Sequence, residues 1–327
     1  MIGLFKQKSP GNVVVLLIFG LMLKLPLFLY PQNSVVTDND GPLYKWLIGS
    51  FASNNAFFSS LIAFALLYLQ ALLVTYLANE YRMLPRQNYL AGMSYLIITS
   101  LLPEWSYLSA PLITATFVIW MFIMLFRLYN APNAKAQVYN IGLLTGITSY
   151  IYFPSVCFML CILLGLMILK AFKLNEIVLF LLGYLTPYYF YAVYLYLTDA
   201  LNLKNFVPHL SVTVPTVKSS IWLAISTLLL AIPFLMGGFY IQMHLRKMLI
   251  QVRKNWSIVL LYLLLAFFVP FINSNQSFHA WVLIAAPFAL FHACAYFYQP
   301  RKFLSLILFF ISVGYVLYLQ YATPTWH

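Results

Sequence analysis

Two carboxylates spaced two residues apart, Asp38 and Asp40, are the side chains of this sequence best suited to chemistry. They lie in a polar loop between two apolar runs, and the 327-residue chain contains only six Asp and Glu. Alternate residues of an extended segment point to the same side, so both acids can face one cavity. Such an acid pair can act as a catalytic base or bind a divalent cation. Asp-Asn-Asp-Gly-Pro is also typical of a solvated turn, and this simpler interpretation stays open.

Four other ionisable residues could take part in such chemistry, and three of them also have a simpler explanation. Lys24 lies near the end of the first apolar run, where its amine can extend toward the acid pair or reach the lipid headgroups. His279 stands at an expected helix start, a location that suits a phosphate, or it is a solvated loop histidine. Lys218 can meet a lipid phosphate or anchor its helix at the membrane surface. Glu104, in a short turn, is a candidate accessory acid.

The composition requires a lipid environment. The chain is 63% hydrophobic and 7% charged, whereas soluble domains carry about 25% charged residues. With a mean hydropathy of +0.88, the bilayer must be the solvent for most of the surface. The net charge of +12 is therefore explained by basic loops on one side of the membrane and not by nucleic-acid binding. The three cysteines lie in apolar runs without metal-ligand spacing, which predicts buried free thiols.

About eleven apolar runs are candidates for transmembrane helices, since a spanning helix needs about 20 mostly apolar residues. The sequence thus predicts an all-α polytopic membrane protein with one membrane domain, 1–327, and no separate soluble domain. Short runs, and a break at Pro154, suggest half-buried helices beside a cavity. The runs are 12–30, 57–78, 89–102, 110–129, 138–153, 155–172, 177–197, 219–241, 257–272, 281–298 and 303–321.

The distribution of Lys and Arg predicts the orientation. With the N-terminus in the cytoplasm and the C-terminus outside, only Lys45, Lys204 and Lys218 fall on the outer side, and Lys24 falls in the first span. Every other Lys and Arg is then cytoplasmic, as the positive-inside rule expects. This topology places both members of the acid pair on the outer side of the membrane.

An amphipathic surface helix is expected directly after the acid pair, in the first outer loop, 31–56. Apolar side chains recur at helical spacing over 43–51, including Trp46, while Lys45 lies off this stripe beside Tyr44. A short helix of this kind lies on a leaflet surface and does not cross the membrane. The acid pair is therefore expected between a span and a helix bound to the membrane surface.

These motifs together resemble the GT-C glycosyltransferases, which use polyprenyl-phosphate sugars. The resemblance implies a GT-C-like module over 1–200, with the outer loop 31–56, followed by C-terminal transmembrane helices over 201–327. The segments that carry it are Asp38-Asn-Asp40-Gly-Pro-Leu-Tyr44, Leu90–Tyr95 with Pro103-Glu104 and Pro111–Phe117, Gly142–Pro154, and Gln276–Pro287.

The resemblance implies sugar transfer from a lipid-phosphate donor on the outer face of a bacterial inner membrane. One Asp of the acid pair would deprotonate the acceptor, and the other would orient it or hold a divalent cation. Lys24, Lys218 and His279 would hold the donor phosphate. An activated lipid donor is consistent with a sequence that has no Walker A motif, no dinucleotide fingerprint and no G-x-S-x-G.

Two alternatives remain open from the sequence. Where many members of the class have a second acid, at the start of the fourth span, this chain has Ala110 and Pro111. A non-catalytic subunit or scaffold built on the same helices, with a protein partner in the membrane, fits that difference. A transporter or flippase for a lipid-linked substrate fits the broken helices.

Overall fold

The computed structural model describes most of the chain, and the elements below are those of the described residues. Two of the candidate site residues, Asp38 and Lys218, lie outside them. The described ranges are 2–7, 9–37, 39–51, 55–129, 131, 134–170, 173–199, 211–212, 220–272 and 278–322.

The described part of the chain is mostly helical, with two isolated β-bridges and no strand. The α-helices are α1 (Ile2–Phe5), α2 (Gly11–Lys24), α3 (Pro26–Leu29), α4 (Pro42–Phe51), α5 (Ala56–Glu80), α6 (Leu90–Ile98), α7 (Ala110–Arg127), α8 (Lys135–Ile151), α9 (Cys157–Leu169), α10 (Leu174–Leu197), α11 (Ile221–His244), α12 (Ile250–Phe268), α13 (Ala285–Tyr298) and α14 (Lys302–Ala322). Short 3₁₀ segments are Pro103–Ser106, Phe153–Val156, Leu245–Lys247, Val269–Phe271 and His279–Ile284.

The helices are those of an integral, polytopic membrane protein. Within the described ranges, seven helices are long and apolar enough to cross a bilayer, and Gly11–Lys24 and Phe153–Leu169 are shorter apolar helices. Each of the eleven predicted runs contains a helix. However, α6 has nine residues, about 14 Å at 1.5 Å per residue, which cannot cross a hydrocarbon core about 30 Å thick. The count of eleven spans and the orientation stay predictions.

Helix α6 lies in the centre of the bundle, and every one of its residues is buried. A buried polar network joins it to α5 and α7. Gln70 donates to the Leu112 carbonyl and to the Thr116 hydroxyl, both at 2.7 Å, and accepts from the Tyr95 hydroxyl at 2.6 Å. In lipid, polar groups without partners are costly, so these bonds fix how the three helices face one another.

Glycines let two helix pairs approach to backbone contact. A Cβ on Gly142 of α8 would lie 3.0 Å from the Phe180 carbonyl carbon of α10, and one on Gly183 would lie 2.9 Å from the Leu143 nitrogen. Likewise, a Cβ on Gly237 of α11 would lie 2.7 Å from the Phe291 carbonyl carbon of α13. Small residues at such crossings permit the close packing by which membrane helices associate.

Candidate functional site at the loop end of the bundle

One end of the bundle, here called the loop end, is where segment 31–51 covers the ends of the helices. Segment 31–37 runs along the turn between α6 and α7, because the Val35 N–H donates to the Leu108 carbonyl at 2.9 Å. Tyr44, the fully buried residue of α4, donates its hydroxyl to the carbonyls of Val35 at 2.8 Å and Leu108 at 3.3 Å. The helix predicted after the acid pair is therefore present as α4, and Tyr44 attaches it to the bundle. Its place on a leaflet surface stays a prediction.

The Asp40–Gly41 segment is fixed against the end of α8. Asp40 and Tyr152 form an antiparallel β-bridge, and the Gly41 N–H donates to the Ile151 carbonyl at 2.8 Å. A Cβ on Gly41 would overlap the Tyr150 carbonyl group, with 2.6 Å to its carbon. Only glycine fits this position, so the residue after Asp40 determines how closely the loop can approach α8.

Asp40 is buried between two phenols. It is 5% exposed, and one of its carboxylate oxygens accepts the Thr37 N–H at 2.5 Å. Burial raises the pKa values of Tyr44 and Tyr152 well above the usual range, and the negative charge of Asp40 raises them further. Phenols are neutral at pH 7, and the Tyr44 hydroxyl already donates to the Val35 and Leu108 carbonyls. The site thus offers one oriented and buried carboxylate, which a general base requires.

Lys24 is enclosed at the loop end and contacts the turn between α6 and α7. Its ammonium donates to the Thr99 carbonyl at 2.7 Å and to the Ser106 hydroxyl at 2.6 Å, and the residue is 1% exposed. Helix α2 packs along α6, with Gly20 beside Leu96, which brings Lys24 level with Thr99. Within the described ranges, no carboxylate lies within 4 Å of this ammonium. The sequence analysis left open whether this amine extends toward the acid pair or toward the lipid headgroups, and the structure bonds it to the α6–α7 turn.

Glu104 and His279, predicted as accessory acid and phosphate ligand, contact each other. The His279 Nδ1 lies 2.9 Å from the Glu104 backbone carbonyl, and Nε2 lies 3.8 Å from the Glu104 carboxylate. A carbonyl only accepts hydrogen bonds, which assigns the proton to Nδ1. The same carboxylate accepts the Phe278 N–H at 2.7 Å. Both nitrogens of His279 therefore face Glu104.

Two site residues were missed by the sequence analysis. Trp105 donates its indole N–H to the Phe278 carbonyl at 2.9 Å and joins the α6–α7 turn to the start of the His279–Ile284 segment. Tyr152 lies at the bridge with Asp40. Both are uncharged aromatics in a chain that is 18% aromatic, so composition gave no signal for either. The helix break before Pro154 was the nearest indication for Tyr152.

We expect Glu104→Ala to lower stability by about 0.5–1.5 kcal/mol, because it removes the charged acceptor of the half-buried Phe278 N–H. Glu104→Gln is the matched control, since an amide oxygen can accept the same N–H. The measurement is thermal unfolding of the purified protein in detergent. An Ala variant that melts at the temperature of the unaltered protein would show that this contact contributes nothing to stability.

The fold and the site define an integral membrane protein whose loop end carries a buried carboxylate, in a segment attached to the bundle. No protein-family model and no curated protein matches the sequence. The fold is GT-C-like, because a solved structure of a GT-C glycosyltransferase is similar over 93% of this chain. That structure is ArnT from Cupriavidus metallidurans bound to undecaprenyl phosphate, with a TM-score of 0.56 and 12% identity. This chain covers 64% of the length of ArnT.

Proposed function

We propose that this protein is a membrane glycosyltransferase that moves a sugar from a lipid-phosphate donor to an acceptor at the loop end. The observation that carries the proposal is the GT-C-like fold over 93% of the chain, shared with a protein crystallised with undecaprenyl phosphate. The buried carboxylate at the loop end supports it further. In this proposal the loop end faces the outside of a bacterial inner membrane, as the distribution of Lys and Arg predicts.

In the proposed reaction, Asp40 accepts the proton of the acceptor hydroxyl as that oxygen attacks the sugar carbon. Thr37 holds the carboxylate in place, and the neutral phenols of Tyr44 and Tyr152 lie beside it. Asp38 would orient the acceptor or, with Asp40, hold a divalent cation. The lipid phosphate leaves with the bonding electrons, so no nucleotide is needed at this step.

The test is a comparison of Asp38→Asn and Asp40→Asn with the unaltered protein in cells lacking the gene. Cell-surface glycans and glycolipids are measured by mass spectrometry. We expect the deletion to remove a glycan modification and at least one of the two variants to fail to restore it. Asp199→Asn is the control, because Asp199 is exposed and its positive φ of 51° is tolerated by Asn.

A non-catalytic subunit is the second candidate, and one contact favours it. The Asp40 carboxylate bonds to the Thr37 N–H, and the Asp40 N–H donates to the Thr37 carbonyl at 3.2 Å, so Asp40 also shapes its own turn. An acid with this structural role needs no substrate. If both Asn variants restore the glycans that the deletion removes, the protein acts as a non-catalytic subunit and not as the enzyme.

A further inference from the structure

The end of α6 accepts hydrogen bonds from side chains of three other helices, α2, α14 and α11. The acceptors are the carbonyls of three consecutive residues at the start of the α6–α7 turn. The pairs, donor first, are Lys24 with Thr99 at 2.7 Å, Gln320 with Ser100 at 3.1 Å, and Ser226 with Leu101 at 3.0 Å. Because α6 ends inside the bundle, protein groups must satisfy these carbonyls. The position of the turn therefore depends on side chains from distant parts of the chain.

Lys24 bonds the two ends of this turn to each other. Its ammonium donates to the Thr99 carbonyl at 2.7 Å and to the Ser106 hydroxyl at 2.6 Å. The Ser106 hydroxyl itself lies 3.4 Å from the same carbonyl, whereas an unhindered O–H···O bond measures about 2.7–2.8 Å. The ammonium, which is enclosed, thus lies between the two oxygens and sets their separation.

The far end of the same turn holds the segment that carries Asp40. Leu108 follows Ser106 by two residues, and its carbonyl accepts the Val35 N–H at 2.9 Å. Thr37 follows Val35 by two residues and donates its N–H to the Asp40 carboxylate at 2.5 Å. A shift of the Leu108 carbonyl therefore reaches, through Val35, the N–H group that orients this carboxylate.

A second attachment of the same segment is independent of the turn. The Gly41 N–H donates to the Ile151 carbonyl at 2.8 Å, and Asp40 forms its β-bridge with Tyr152. Both contacts are made with the end of α8. A change in the α6–α7 turn should therefore affect the backbone at Val35 and Thr37 and leave the backbone at Gly41 in place.

We propose that Lys24 is a positioning residue: it sets the spacing of the α6–α7 turn and thereby the orientation of the Asp40 carboxylate. It acts through Thr99, Ser106 and Leu108 and contacts no substrate. The inference rests on the proposed function for the catalytic role of Asp40. It differs from the role that the sequence resemblance implied for Lys24, which was to hold the donor phosphate.

The test uses the full chain in phosphatidylcholine nanodiscs and three variants: Lys24→Met, Ser106→Ala and the two combined. Methionine is of similar length to lysine and donates no hydrogen bond, and without the ammonium the Ser106 hydroxyl can approach the Thr99 carbonyl directly. Hydrogen–deuterium exchange is measured on peptides that contain Val35 and Gly41. Binding of undecaprenyl phosphate is measured by native mass spectrometry, thermal unfolding reports stability, and glycan restoration in cells reports activity.

We expect Lys24→Met to raise the exchange rate at Val35 about fivefold or more, the effect of weakening one hydrogen bond. Exchange at Gly41 should stay unchanged. The melting temperature should be the same or higher, since removing a charged group from the membrane interior relieves a cost. Glycan restoration should fall about tenfold, because small displacements of a catalytic group are costly. Binding of undecaprenyl phosphate should be that of the unaltered protein.

Ser106→Ala changes the same contact from its other side and is the second variant. It should also raise exchange at Val35 and leave Gly41 unchanged. Combining the two substitutions should add little to either one, because both act on a single contact. If Lys24→Met does not fold, Ser106→Ala decides the matter alone.

Three results would overturn the proposal. The first is unchanged exchange at Val35 in the folded variants. The second is an equal rise at Val35 and Gly41, which would show general loosening of the segment. The third is a Lys24→Met protein that loses undecaprenyl phosphate and keeps the exchange rate at Val35, which would make Lys24 a ligand contact.

The outcomes for Lys24 and for the proposed function are separable. Faster exchange at Val35, in a protein whose Asp38→Asn and Asp40→Asn variants both restore the glycans, supports the positioning role and refutes the transferase. Conversely, unchanged exchange and full glycan restoration by Lys24→Met, with Asp40→Asn inactive, leaves the transferase and refutes the role of Lys24.

Discussion

Replacing Gly41 by Ala is expected to displace the loop that carries Asp40 and to reduce the proposed transferase activity by about 100-fold or more. The added Cβ would overlap the Tyr150 carbonyl and lie 2.6 Å from its carbon and 3.0 Å from the Ile151 oxygen. Those are backbone atoms at the end of α8, which cannot move aside as a flexible side chain can. A displacement of about 1 Å at a catalytic group can cost a factor of about 100 in rate.

The control for this variant lies in the same segment. Gly49 of α4 has nothing within 4 Å of its ideal Cβ, and Ala is the better helix former by about 1 kcal/mol. Gly49→Ala should therefore retain activity and melt at the same temperature or slightly higher. The measurements are glycan restoration in cells and limited proteolysis of segment 31–51. If Gly41→Ala restores glycans fully and its loop resists the protease, the loop is not attached to α8 as described.

Replacing Gly237 by Ala is expected to lower stability by about 1–3 kcal/mol, the usual cost of overpacking. Its Cβ would meet the Phe291 backbone of α13, 2.7 Å from the carbonyl carbon and 3.2 Å from Cα. The helices must separate to admit it. Since α13 follows directly on the His279–Ile284 segment, the contact of His279 with Glu104 should weaken as well.

The next residue supplies the control. Gly238 has open space where a Cβ would be, so Gly238→Ala should be neutral or should stabilise by a few tenths of a kcal/mol to about 1 kcal/mol. Thermal unfolding in one detergent, at one protein concentration, compares the two. Equal melting temperatures for the two variants would show that α11 and α13 do not touch through Gly237.

Much of the fold followed from local sequence. The run 57–78 lies within α5, Ala56–Glu80, and the break expected at Pro154 is the 3₁₀ segment Phe153–Val156. The reason is that a bilayer solvates no free peptide group, so long apolar runs must be helices. The proline rule is weaker, because Pro154 falls at a break whereas Pro187 and Pro233 lie inside α10 and α11. The resemblance to GT-C enzymes, drawn from degenerate motifs, is confirmed at the level of the fold.

The segment after the acid pair shows where local pattern becomes insufficient. The spacing of apolar residues over 43–51 predicted the helix, and α4 is there. The predicted apolar stripe contained Trp46, which is 64% exposed, as a stripe that faces a leaflet would be, while Tyr44 and Ile48 face the bundle. The Tyr44 hydroxyl bonds to Val35 and Leu108 determine which face of α4 turns toward the bundle. The pattern of apolar residues cannot predict these bonds.

The sequence by itself determined that this chain lies in a membrane, which runs are helices, and which few residues carry charge. Hydropathy and charge are sums over neighbours in the chain, so they can be read from it directly. Only the tertiary structure decided which side chains contact one another. Glu104 meets His279, 175 positions later, and Lys24 meets Ser106, because helix depth and rotation set those contacts. The same packing leaves Lys45 exposed, one helical turn beyond the segment that fixes Asp40.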